Sequence, residues 1–206
     1  MLWLPFANRL LTMGQRSRIE FGTGAILAGA AALLILPLSF LLSFLIAVLV
    51  HEVCHYLVLR IMDVGIYKIC IGPFGASMET EPMEPEREVL CALAGPLGSF
   101  LLVSLYRIFP VISFCALIQG CFNLFPIYPM DGGRVLAGLL EMLKVPGRER
   151  ILFVIRLITG IAVGCVCLGG FLIWDLGYGA LFLGLVLLLH IFPRKTPCKD
   201  SSFRVQ

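Results

Sequence analysis

From Phe21 to Val50 the chain runs thirty residues without one charged side chain, and the next five residues are His51-Glu52-Val53-Cys54-His55. An apolar run this long exceeds the roughly 20 residues that cross a bilayer as a helix. His-Glu-x-x-His on a helix sets two imidazoles four residues apart on one face, where both can reach one metal ion. Glu52 is rotated by about 100° from His51, beside such a metal and not on it. That is the place for a general base toward water, and the chemistry is that of a metalloprotease. The same run therefore constrains both environment and chemistry: a candidate hydrolytic centre inside a membrane.

Composition agrees with the environment. Hydrophobic residues make up 59% of the 206 and charged residues only 14%, with a mean hydropathy of +0.97. A soluble domain carries about 25% charge, so this much apolar surface requires lipid. The net charge of +3 is spread along the loops and gives no footing for nucleic acid. Eight cysteines are present, but most lie in apolar segments, where Cys behaves as a small hydrophobe. No CxxC pair occurs, and Cys165-x-Cys167 is a poor candidate for redox or metal work. Neither a disulfide framework nor a cysteine metal site is expected. Arg9, Arg16 and Arg18 precede a stretch too long for a signal-peptide core.

Six apolar segments can be counted, at about 22–36, 39–62, 89–106, 111–125, 151–173 and 177–192. Pro37 divides the first two, which are too long together for a single crossing and read as two helices joined by a tight turn. With the N-terminus on the cytoplasmic side, alternate loops sort the sixteen Lys and Arg residues sharply. Arg107 alone falls outside, and Arg156 falls just within the fifth segment. The positive-inside rule then places both termini in the cytoplasm. His51 lies about 12 residues into the second helix, or about 18 Å at 1.5 Å per residue. That is below the membrane surface, on the cytoplasmic side.

The architecture expected is an all-α polytopic membrane protein with about six transmembrane helices. Residues 1–206 form a single domain, with a cytoplasmic segment at 1–20 and a short tail at 193–206. Between the second and third helices, Gly65 to Glu88 contains Ile66, Tyr67, Ile69 and Ile71, with Gly72, Pro73 and Gly75 as punctuation. Two short strands around that turn are expected. Glu79, Glu81, Glu84, Glu86 and Glu88 then read as a solvated run leading into a helix whose N-terminus favours acidic side chains.

Zinc hydrolases hold the metal with three protein ligands, and the motif helix supplies two. Ionisable residues in apolar segments are costly and usually functional, which leaves Asp131, Asp175, His190, Glu141 and Asp63 as candidates for the third. Asp175 is on the outer side, far from His51 in depth. His190 fits an interfacial histidine, Glu141 an amphipathic helix at 134–143, and Asp63 the end of the motif helix. Asp131 differs because it sits in Asn123-Leu124-Phe125-Pro126-Ile127-Tyr128-Pro129-Met130-Asp131-Gly132-Gly133. The prolines stop a helix and the glycines permit close backbone approach. Irregular backbone at membrane depth occurs only where it is buried or lines a cavity. By itself the segment also fits an ordinary Pro/Asp/Gly turn at a helix end.

The pairing of His51-Glu52-x-x-His55 with Asn123-x-x-Pro126-x-x-Pro129-x-Asp131-Gly132-Gly133 resembles the site-2 protease family of intramembrane zinc metalloproteases. Within that family the chain looks like the stage IV sporulation protein FB group. Ala94-Gly95-Pro96 is similar to the family's short Gly-Pro motif. The resemblance implies one zinc per chain held by His51, His55 and Asp131, with Glu52 as general base. It implies that Asn123 lies near the site, able to bond substrate backbone or a developing oxyanion. It further implies that Gly65–Thr80 is a membrane-associated hairpin whose edge can pair with an extended substrate. The substrates implied are transmembrane or membrane-associated proteins, a sporulation sigma-factor precursor among them, with regulatory membrane partners and a bacterial cell membrane as the setting. A PDZ or CBS module, present in many relatives, is not expected here. The rival reading is a metal transporter or non-catalytic metal-binding membrane protein. It lacks support from a second polar stripe crossing the apolar segments, and the intact Glu52 argues against a catalytically dead homologue.

Overall fold

The computed structural model describes residues 18–72, 75–128 and 130–173. Strand β1 (Arg18–Phe21) leads into helices α1 (Thr23–Ile35) and α2 (Leu38–Ile61). Strands β2 (Ile66–Gly72) and β3 (Gly75–Thr80) follow, then α3 (Pro85–Val103), α4 (Pro110–Asn123), α5 (Asp131–Met142) and α6 (Arg148–Ile173).

Two helices, not one bent element, occupy the first apolar stretch. Leu36 before Pro37 takes an extended conformation, with φ −100° and ψ 143°, as the proline ring requires of its predecessor. Pro37 then caps α2, its carbonyl accepting the Leu41 N–H at 3.0 Å. At the other end of α2, Asp63 adopts φ 59°. The Val64 N–H reaches the Leu59 carbonyl at 3.0 Å and the Asp63 N–H that of Arg60 at 3.2 Å. This is a Schellman close, and the packing of Leu59 against Val64 seals it. Asp63 is thus a helix-terminating residue.

Only one stripe of α2 is buried: Ala47, His51, His55 and Leu59, at four-residue spacing. Leu42, Leu45, Leu49 and Leu57 on its other faces are exposed, a surface stable only against lipid or another apolar partner. Helices α2 and α6 are long and apolar enough to cross a membrane, while α4 is apolar but shorter. At 13 residues, α1 spans about 20 Å, less than a hydrocarbon core of about 30 Å. The expected sixth apolar segment at 177–192 lies outside the described residues.

Helix α3 is the hub, packing against α2, α4 and α5. Pro85 occupies its first turn with Glu86 and Glu88, as expected of an acidic run entering a helix N-terminus. Apart from Pro96, its buried residues are small: Cys91, Ala92, Ala94, Gly95, Gly98 and Ser99. Small side chains let the neighbouring backbones approach closely, the usual device where lipid supplies no hydrophobic drive between helices.

The expected hairpin is present, with β2 and β3 antiparallel and Gly72 opposite Gly75. The all-α expectation needs amendment, however. Strand β1, which begins in the stretch read as a cytoplasmic segment at 1–20, pairs in parallel with β2 and completes a three-stranded sheet in the order β1-β2-β3. A 2.7 Å ion pair between Lys68 and Glu20 ties the two strands. The Gly22 N–H donates to the Ile71 carbonyl at 2.9 Å, so α1 starts beside the end of β2. Among the described cysteines, Cys54, Cys91, Cys115, Cys121, Cys165 and Cys167 are free.

Candidate active site

Helix α2 carries His51 and His55 on its buried stripe, and their Nε2 atoms stand 3.2 Å apart. Asp131 closes the group: its Oδ2 lies 3.0 Å from His51 Nε2 and 3.2 Å from His55 Nε2. All three are buried, with 2%, 7% and 7% of their surface exposed.

Asp131 reaches this point because of its neighbours. Residues 124–128 leave the end of α4 in tight turns, with the Ile127 N–H on the Phe125 carbonyl at 2.8 Å, and the Met130 N–H reaches the Ile127 carbonyl, also at 2.8 Å. Helix α5 then starts directly under that segment. A Cβ on Gly132 would overlap the Leu124 and Phe125 carbonyls, and one on Gly133 would overlap the backbone of Ile127 and Tyr128. Two glycines are thus required for the first turn of α5 to tuck in and present Asp131 inward. The second carboxylate oxygen, Oδ1, lies 3.7 Å from Arg134 Nη1, and Arg134 Nε lies 3.6 Å from Glu88 on α3. The two oxygens therefore face different partners, one the imidazole pair and the other a guanidinium.

Helix α3 orients the imidazoles from the opposite side. His55 Nδ1 donates to the Cys91 carbonyl at 2.7 Å. His51 Nδ1 lies 2.9 Å from Ser99 Oγ. A carbonyl only accepts, so the Nδ1 proton of neutral His55 is committed and its Nε2 presents a lone pair to the cluster. Between these contacts, Gly95 lets α3 approach so closely that a Cβ there would overlap both Nε2 atoms. The ligand atoms of His51, His55 and Asp131 lie within 4.8 Å of one another. Two imidazole nitrogens and a carboxylate oxygen, buried and convergent, form a donor set suited to zinc.

Glu52 stands off this cluster, as its rotation on the helix dictates. Its Oε1 accepts the backbone N–H of Ala76 at 3.1 Å, which ties the carboxylate to the start of β3. Gly75 adopts φ +132° beside it, a conformation that favours glycine.

The structure thus brings together His51, His55 and Asp131, with Glu52 alongside. Asn123 is in the last turn of α4, where its Nδ2 donates to the Gln119 carbonyl one turn back at 3.2 Å. Glu141 is engaged with Arg148 at 2.6 Å. Asp175 and His190 lie outside the described residues. Sequence reasoning missed Ser99, the Cys91 carbonyl and Arg134. The signal for the first two was the four-residue spacing of small residues 91, 95 and 99 around the Gly95-Pro96 pair.

No protein-family model matches the chain. A zinc metalloprotease of Methanocaldococcus jannaschii is 33% identical over 116 residues, a match covering 50% of this chain and 34% of that protein. The chain thus spans about a third of the length of this relative. The solved site-2 protease from Methanocaldococcus jannaschii superposes with a TM-score of 0.61 at 22% identity, over 90% of this chain and 94% of that one. The chain accordingly shares the fold of that archaeal site-2 protease, and its sequence is similar to that of a zinc metalloprotease.

Proposed function

We propose that the chain is a zinc-dependent intramembrane endopeptidase acting on transmembrane or membrane-associated proteins near the cytoplasmic face. The observation that carries this reading is the convergence of His51, His55 and Asp131 on one buried point with Glu52 beside it. His51, His55 and Asp131 would hold the zinc, which when bound would supply Lewis-acid polarisation of a peptide carbonyl and activation of water.

The other steps belong to the chain's own residues. Glu52 accepts the proton of the attacking water at a carboxylate oxygen and later returns it to the leaving amine. The Ala76 N–H steadies that carboxylate at 3.1 Å. The sheet order leaves the outer edge of β3 without a strand partner among the described residues. An extended substrate segment can add there next to Glu52. A substrate helix must first unwind, because its carbonyls are tied up in i to i+4 bonds. Asn123 would donate its amide to substrate backbone or oxyanion after giving up the bond to Gln119. Regulated intramembrane proteolysis in a bacterial cell membrane, including sporulation-type sigma-factor processing, is the biological setting in keeping with the motifs.

The test is cleavage of a membrane-embedded reporter by purified protein in liposomes. Cleavage should stop with 1,10-phenanthroline and return with added zinc. Cleavage indifferent to the chelator would overturn the reading.

The same proposal includes about six spans with both termini cytoplasmic, resting on the one-sided distribution of Lys and Arg. In a cysteine-free background, an impermeant thiol reagent applied from outside should label Arg107→Cys and miss Lys68→Cys. The reverse pattern would invert the orientation and move the site to the outer half of the membrane.

A further inference from the structure

We propose that Ser99 is a positioning residue for the metal ligand His51, so that α3 sets the orientation of both imidazoles carried by α2. The inference rests on the metal-site reading above. Ser99 is fully buried, and its Oγ lies 2.9 Å from His51 Nδ1. Cys91, Gly95 and Ser99 follow one another at four-residue spacing on the buried face of α3. Against them, α2 places His55 level with Cys91 and His51 level with Ser99. The two histidines differ in what holds them. His55 is bonded to a backbone carbonyl, which no substitution removes. His51 is bonded to a hydroxyl, which one substitution removes.

The serine itself is closely packed. Gly120 of α4 lies so close behind Ser99 that a Cβ there would meet the Ser99 Cβ at 3.1 Å. A helical serine commonly bonds back to its own preceding turn; this one reaches across the helix interface to His51. The second torsion of a histidine is broad and nearly two-fold, so packing alone fixes the ring plane poorly. A partner on Nδ1 selects the orientation in which Nε2 faces Asp131.

The experiment is titration of the purified full chain, stripped of metal in detergent, with zinc against a competing chelator and with cobalt(II) read by its visible absorption. Ser99→Ala should weaken both metals by about 10- to 100-fold and alter the cobalt spectrum, as expected of a lost partner to a ligand imidazole. Ser113→Ala is the control. It removes another buried hydroxyl, one bonded to the Leu102 carbonyl at 2.9 Å, and should leave affinity and spectrum native. Ser99→Cys, similar in shape with a weaker acceptor, should fall between native and alanine, and it carries the test if the alanine variant does not fold. Native affinity and spectrum in the Ser99 variants, or an equal loss in Ser113→Ala, would overturn the positioning role. If native protein binds neither metal, the metal-site reading fails and the inference falls with it.

Discussion

Glu52→Gln should abolish proteolysis of a transmembrane reporter while the protein keeps most of its zinc. The two effects separate because of where the side chain sits. One residue after His51 on the helix, Glu52 is turned away from the ligand cluster, and its Oε1 accepts from the Ala76 N–H instead of joining the three ligand atoms. Glutamine retains the shape and can still accept that bond through its carbonyl oxygen, but it cannot take a proton from water. Loss of a general base costs about 10²- to 10⁴-fold in rate, which for a slow intramembrane reaction is indistinguishable from none. Cleavage at the native rate would remove Glu52 from the mechanism. Loss of zinc together with activity would make it a ligand. The same variant should retain bound substrate, so the membrane proteins that co-purify with it report the substrate class.

Asp131→Ala should empty the metal site. The carboxylate is the only negative charge among the three proposed ligands, and Oδ2 touches both imidazoles, at 3.0 and 3.2 Å. Structural zinc sites bind with about 10–16 kcal/mol. Losing one ligand in three should cost on the order of 3–5 kcal/mol, or about 10²- to 10⁴-fold in affinity. Gly95→Ala should give the same loss by another route. It leaves every ligand in place but sets a methyl group on both Nε2 atoms. The strain of overpacking a core is about 1–3 kcal/mol, so the variant should fold while losing metal. Full zinc in a folded Gly95→Ala protein would show that the metal lies on another side of the histidines.

Part of this arrangement was legible in the sequence. The uncharged run ending at His51 marked α2 and its environment, and Pro37 marked the break before it. Gly72 and Gly75 marked the hairpin. Two imidazoles four residues apart need only a helix to meet, so the core of the site followed from local geometry. Asp131 was distinguishable by its proline- and glycine-broken backbone, but that pattern is shared with ordinary turns. The reason for Gly132 and Gly133 appears only when α5 is seen lying under the backbone of 124–128. Strand β1 was missed because four residues, Arg18-Ile19-Glu20-Phe21, carry too little periodicity. Its partner is about fifty residues away, so the pairing is a tertiary fact. Ser99 was missed for a related reason. A serine in an apolar helix has no signal of its own, and its meaning comes from the antiparallel register of α2 against α3.

Zinc content per chain, measured side by side on native protein, Asp131→Ala and His190→Ala purified in detergent, tests the proposed centre most directly. A single zinc per chain is expected in the native and His190→Ala proteins, and close to none in Asp131→Ala. Full zinc in Asp131→Ala with loss in His190→Ala would contradict the ligand set of His51, His55 and Asp131, and with it the proposal that this buried cluster is the catalytic centre.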